Sequence, residues 1–174
     1  MKIWPVVTGV AIALTLVACK SPTQPKGVQP ITNFDANRYL GKWYEVARLE
    51  NRFERGLEKV TATYGTRSDG AISVLNRGYD PIKNKWNESE GKASFTGAPT
   101  TAALKVSFFG PFYGGYNVIR LDDDYQYALV SGPNRDYLWI LSRTPTIPDA
   151  VKQDYLNTAR TLGFQVDQLV WVKQ

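Results

Sequence analysis

From residue 41 onward the chain alternates apolar and polar residues in short runs, broken about every ten residues by turn-forming clusters, which is the pattern of an all-β protein. In "ALKVSF" Leu104, Val106 and Phe108 point to one side, and Lys105 and Ser107 to the other. This reading predicts strands over 42–50, 57–67, 71–79, 86–96, 102–109, 116–122, 125–131 and 137–143. The breaks are "SDG" (68–70), "DPIKNK" (80–85), "GAPT" (97–100), "GPFYGG" (110–115), "DDD" (122–124) and "GPNRD" (132–136), all of turn composition. "FDANRYL" (34–40), just before the first strand, also reads as a turn. The period then changes. In "TIPDAVKQDYLNTARTLGF" Val151, Tyr155, Leu156, Ala159 and Leu162 follow a 3.6-residue repeat, predicting one helix that packs against the domain. Thr146 and Asp149 stand at capping-box spacing, Pro148 fits the first turn, and Gly163 supplies the stop. "QLVWV" (168–172) is a short final strand.

Eight strands in succession form either a sandwich or a closed up-and-down barrel. Closure removes the edges that invite pairing with other chains. An eight-stranded barrel holds either a side-chain core or one small ligand. Aromatic residues make up 13% of the chain and many fall in strands, where they serve a core or a cavity equally well.

The first 18 residues stand apart. "MKIWPVVTGVAIALTLVA" carries Lys2, then an uncharged and mostly apolar run ending in small residues, the layout of a secretory signal. "LVAC" (16–19) resembles the bacterial lipobox, whose cysteine becomes the first residue and receives lipid; Cys19 is the only cysteine in the chain. Cleavage there turns 174 residues into 156 and, with Lys2 gone, the formal charge of +5 into +4. That length suits a single domain. Several acyl chains on Cys19 would hold the protein on a membrane, which one chain does only marginally. Lys20 after the cysteine, rather than Asp, implies the outer membrane, facing the periplasm. Residues 19–33, rich in Pro, Ser, Thr and Gln, read as a tether, and 34–174 as the domain. The basic charge is spread without a Lys/Arg cluster, so no nucleic-acid partner is expected.

Candidate catalytic chemistry is thin. The chain has no histidine, which removes the commonest general base and metal ligand, and the one cysteine is committed to lipid. Glu88 and Glu90 share a strand face that reads as a solvated outer surface. "DDD" does not have calcium-loop spacing and reads as a hairpin turn. No enzyme activity, cofactor or metal is expected.

Three motifs carry a family resemblance. "GKWYEVAR" (41–48) resembles the first lipocalin motif, Gly-x-Trp-Tyr/Phe, at the start of the first strand. "DDDYQYALV" (122–130) resembles the second, with Asp123 where Thr is usual and Tyr127 one place early. "LWILSRTP" (138–145) resembles the third, an arginine closing the eighth strand. The resemblance covers about 34–174, is greatest to the bacterial lipoprotein branch, and implies an eight-stranded antiparallel up-and-down barrel with one C-terminal helix and a short final strand. It also implies that Arg143 lies across the indole of Trp43 at a closed end, with Gly41 admitting the chain beneath, a structural fastening rather than a ligand contact. Ligand then enters at the other end. Leu104, Val106, Phe108 and Trp139 are the candidate pocket wall, and Phe112, Tyr113 and Tyr116 of the "GPFYGGY" loop the candidate rim. The function implied is a membrane-anchored protein that binds fatty acids or lysophospholipids for envelope maintenance. The competing reading is a structural or assembly lipoprotein with a filled barrel and no ligand. An aromatic rim serves a homodimer as readily as a ligand.

Overall fold

The computed structural model describes residues 23–174. The signal segment 1–18 and Cys19 lie outside the described residues. Eight strands follow one another: β1 (Gly41–Leu49), β2 (Glu58–Thr66), β3 (Ile72–Asp80), β4 (Lys85–Phe95), β5 (Ala103–Phe109), β6 (Phe112–Leu121), β7 (Tyr127–Ser131) and β8 (Leu138–Ser142). Each pairs antiparallel with the next, and β1 pairs with both β2 and β8, which closes the barrel. A short helix, α1 (Ala36–Tyr39), precedes β1 where the composition predicts a plain turn; Asp35 caps it by accepting from the Asn37 N–H at 2.9 Å. The long helix α2 (Asp149–Thr161), a 3₁₀ turn (Val166–Gln168) and β9 (Leu169–Trp171) follow, with β9 antiparallel to the far half of β1.

Strand alternation sorts side chains into two cores. Trp43, Tyr64, Val74, Ala93, Leu104, Val118, Val130 and Leu141 fill the barrel. Leu129, Leu138 and Ile140 face outward, under α2, where Tyr155 and Ala159 cover them. The capping box expected for α2 does not form: Pro148 is the N-cap, and the Thr146 carbonyl accepts from the Ser142 and Thr144 hydroxyls instead. Gly163, at φ +86°, ends the helix in the left-handed region. Among the described residues no helix is long and apolar enough to cross a membrane.

One expected loop is missing. The composition of "GPFYGG" predicts a loop over 110–115, but β6 begins at Phe112, paired with Phe109 across Gly110 and Pro111. Gly110, at φ +49°, takes the tight turn. The aromatic segment is therefore strand, and alternation decides where its side chains go. Tyr116 lies opposite the interior residue Leu104, inside the barrel rather than on its rim. Tyr113 is exposed on the outside, beside Lys105.

A strand-length segment before α1 straps the outside of the barrel. Ile31 donates to the Val118 carbonyl and accepts from Ala102, and Phe34 donates to Thr100. Higher up, the Thr23 carbonyl accepts from Asn117 Nδ2 at 2.8 Å and stands so close to Gly115 that a Cβ there would lie 1.8 Å away. Gly115 is required by that close approach.

Candidate functional site

The closed end is built by β1, the end of β8 and α1. The Arg143 guanidinium lies 3.9 Å from the centre of the fully buried Trp43 ring. A cation over indole is worth about 0.5–2 kcal/mol depending on desolvation. Arg143 also donates to three carbonyls, those of Tyr125 (3.1 Å), Lys42 (3.0 Å) and Arg38 (2.9 Å), which only a planar fork reaches together. Trp43 Nε1 donates to the Tyr39 carbonyl at 2.9 Å. Gly41 takes φ +96° with its missing Cβ 3.4 Å from the guanidinium, so both the turn and the contact favour glycine. Tyr125, between the aspartates and β7, closes the floor: its hydroxyl accepts from the Asp35 N–H at 2.9 Å.

Above this floor lies a small apolar cavity of about 20 Å³, lined by Phe34, Tyr39, Tyr64, Leu104, Val106 and Tyr116, among others. Three phenols meet at its side: the Tyr116 hydroxyl bonds those of Tyr39 (2.7 Å) and Tyr64 (2.8 Å). Burial raises the pKa of all three, so they stay neutral. Of the expected wall residues, Leu104 and Val106 line this cavity, while Phe108 and Trp139 face the same interior nearer the mouth. Phe108 folds over Gly91, where a Cβ would sit 2.8 Å from its ring.

The upper interior is different in kind. Ser89 and Lys85 of β4 share the inward face with Ala93, since the β3–β4 register runs unbroken, yet both are exposed. The barrel is open there. At its wall sits a charge cluster that sequence reasoning missed. Glu45 pairs with Leu141 and Arg48 with Trp139, both interior residues, so Glu45 and Arg48 point inward although they stand three positions apart. A bulge between Glu45 and Ala47 shifts the alternation. Arg48, 1% exposed, donates to Glu45 Oε1 and Glu50 Oε1, each at 3.0 Å, and to the Leu57 carbonyl. Trp139 Nε1 donates to Glu54 Oε2 at 3.0 Å, and Asn51 holds the same oxygen. Burial first, and then the neighbouring Glu54, push the Glu45 carboxyl well above its ordinary pKa, with Arg48 pulling the other way. The signal in the sequence is a Glu and an Arg in the apolar second half of β1, and a period of two hides them. Phe112 opens β6 at the mouth turn.

Among the described residues no group of His, Cys, Asp and Glu is arranged to hold a metal. Glu88 lies on the outer face in an exposed ion pair with Arg77. The closed barrel, its floor sealed by Trp43 and Arg143, and an interior open at the other end define a container for a small hydrophobic molecule.

The lipocalin-like domain family matches residues 34–174, and the chain belongs to the lipocalin family. It is similar over its whole length to outer membrane lipoprotein Blc of Citrobacter freundii, at 65% identity over 174 residues, covering 100% of this chain and 98% of that one. The corresponding protein of Escherichia coli K12 is 63% identical over the same coverage. Apolipoprotein D of Mus musculus is 35% identical over 150 residues, 82% of this chain and 78% of that one. Among solved structures, insecticyanin from the tobacco hornworm superposes with a TM-score of 0.69 at 21% identity, over 88% of this chain and 87% of that one, which bears on the fold alone. As a lipocalin of the outer membrane lipoprotein class, the chain is a lipid-anchored binding protein for a small hydrophobic ligand, not an enzyme.

Proposed function

We propose that the protein stores or carries single-chain membrane lipids, fatty acids or lysophospholipids, for maintenance of the cell envelope, held at the outer membrane through lipid on Cys19. The observation that carries this reading is the polarity gradient inside the barrel. The lower half is apolar and ends on neutral phenols; the upper half is open and ringed by polar and charged groups. An acyl chain enters past Phe108 and Val106 while its head stays with the charges, and the side chains around the 20 Å³ cavity move apart to admit it. Each buried methylene contributes about 0.8 kcal/mol, so a chain of ~16 carbons retains micromolar or better affinity after ordering costs. The filled-barrel alternative draws support from the small lower cavity, about 20 Å³, and is opposed by inward-facing Ser89 and Lys85, which remain in water.

The cluster favours lysophospholipid over free fatty acid. Arg48 is already occupied by Glu45 and Glu50, so it offers no free cation to a carboxylate. A zwitterionic head can instead place its ammonium near the carboxylates and its phosphate near the mouth lysines and arginines.

The test is a tryptophan-fluorescence titration of the delipidated protein with palmitate and with lysophosphatidylethanolamine. Saturable quenching at micromolar concentration or below, weakened in a folded Trp139→Ala variant, supports the reading. Absence of any response in folded, lipid-free protein overturns it in favour of a structural lipoprotein.

A further inference from the structure

The lower barrel holds more hydrogen-bond donors than it uses. Phe34, Leu104 and Val106 line its cavity with hydrocarbon, yet the same wall carries three phenols, one each from α1 (Tyr39), β2 (Tyr64) and β6 (Tyr116). Tyr39 and Tyr64 are buried, and their rings stack with centres 5.5 Å apart. Phenylalanine would fill nearly the same space and bury no polar atom, so three hydroxyls at this depth call for a reason. Burial raises the pKa of each phenol, and each therefore keeps its hydrogen.

Three hydroxyl hydrogens meet only two hydrogen bonds. Among the described residues the Tyr116 hydroxyl bonds those of Tyr39 (2.7 Å) and Tyr64 (2.8 Å), and the three make no other hydrogen bond. If Tyr116 accepts from both neighbours, its own hydrogen is spare. If it donates to one of them, the spare hydrogen passes to that neighbour. Either way one donor is left over, and it belongs to a phenol that lines the cavity. The cavity, about 20 Å³, has room for one water-sized group. Leu104, directly across from Tyr116, lies five residues from Phe109 at the mouth turn, roughly 17 Å along β5. A group carried to that depth belongs to the far half of an acyl chain whose head stays at the mouth.

We propose that Tyr39, Tyr64 and Tyr116 form a specificity subsite for an oxygenated acyl chain, in which the spare phenolic hydrogen donates to a keto or hydroxyl oxygen in the far half of the chain. A plain hydrocarbon tail leaves that donor unpaired, whereas a ketone at the right depth gives all three hydrogens an acceptor. A ketone brings no hydrogen of its own, and a hydroxyl fits by donating back to a phenol oxygen. An oxygen carried alongside Val106 and Phe108 meets hydrocarbon instead and loses its water without replacement. The preference therefore follows the position of the oxygen along the chain and not polarity as such. It rests on the reading of the interior as an acyl site, and adds which acyl chains that site selects.

The test uses the protein freed of bound lipid and a set of oxopalmitates that differ only in where the ketone sits, so that their composition is matched. Palmitate is titrated first by tryptophan fluorescence. Failure to bind it overturns the acyl-site reading, and this one with it; once palmitate binds, the subsite is judged on the isomers alone. The isomer with its ketone in the far half is expected to bind about tenfold more tightly than the one with its ketone at mid-chain. With an isotope-labelled ketone, the infrared carbonyl stretch of the bound far-half isomer is expected at lower frequency than in hydrocarbon solvent, as a hydrogen bond requires. In the Tyr39→Phe/Tyr64→Phe/Tyr116→Phe variant the ratio between the two isomers is expected to fall to about one and the infrared shift to vanish. Equal affinity across the isomers, or a ratio and shift that survive in the triple variant, overturns the proposal and leaves the phenols as packing alone. The isomer series and the infrared shift are read on the unaltered chain, so both decide the matter even where the triple variant does not fold.

Discussion

The two ends of this barrel use the same residue types for opposite purposes. At the closed end an arginine and a tryptophan meet each other: Arg143 is stacked on Trp43, and its Nε, Nη1 and Nη2 each donate to a backbone carbonyl. At the open end Arg48 and Trp139 are cross-strand neighbours, but each is held by a carboxylate, Glu45 and Glu50 for the arginine and Glu54 for the indole. Backbone carbonyls belong to the frame and cannot move without unfolding it. Glu50 and Glu54 lie in the β1–β2 loop, where a carboxylate can move and give way to a ligand, while Glu45 in β1 and the Leu57 carbonyl hold Arg48 from the frame. A guanidinium and an indole thus seal one end and leave the other adjustable, and the difference lies in what accepts their hydrogen bonds.

The comparison breaks most visibly at Trp43. Trp43→Ala removes a fully buried ring and the platform for Arg143, and is expected to cost about 3–5 kcal/mol in urea unfolding. Trp139→Ala, partly exposed, is expected to cost less than about half of that while weakening acyl binding. Equal losses of stability would show that the two ends are equally structural. Arg48→Met leaves Glu45 and Glu50 without their cation and is expected to lose about 3 kcal/mol, much of it recovered in Arg48→Met/Glu45→Gln; a double-mutant cycle measures the recovery. Arg143→Lys keeps the charge but not the fork, with an expected loss of about 2 kcal/mol and no change in ligand affinity, read from thermal unfolding and the fluorescence titration together.

The smallest effect is a dependence on pH that belongs to the open end alone. The Glu45 carboxyl binds its proton more tightly folded than unfolded, because burial and Glu54 raise it above the ordinary 4.5. Its contribution to stability is therefore complete below that value and is lost as pH rises through the raised one. Glu45→Gln is expected to flatten this decline, measured as the slope of unfolding free energy between about pH 4.5 and 8. An unchanged slope would place the titration elsewhere. At the closed end the phenols stay neutral across this range, so no matching slope arises there.

Much of this protein is legible in its residue pattern. Alternation over "ALKVSF" assigns Leu104, Val106 and Phe108 to one face, and the β4–β5–β6 register keeps them there. The eight strand segments and the helix stripe over Val151–Leu162 lie within a few residues of the observed elements. These features are local: a side chain's face follows from backbone period, and turn residues announce themselves by composition. Expectation and fold part where period or composition misleads. Glycines in "GPFYGG" suggest a loop, yet in β6 Gly114 and Gly115 are strand residues, one of them needed for the strap to pass. A loop there would put Tyr116 on the rim, whereas the strand sets it among Tyr39 and Tyr64.

The sequence by itself determined the number and order of strands, the helix that covers one side and the motifs that mark the family, because each depends on residues close together in the chain. The tertiary structure alone decided that Glu45 and Arg48 share the interior, that Tyr116 lies inside, and that the tether climbs toward the mouth. A single bulge reverses every face beyond it, and a strap is placed by partners some ninety residues away in sequence, such as Asn117 for Thr23. Neither leaves a mark on the local period.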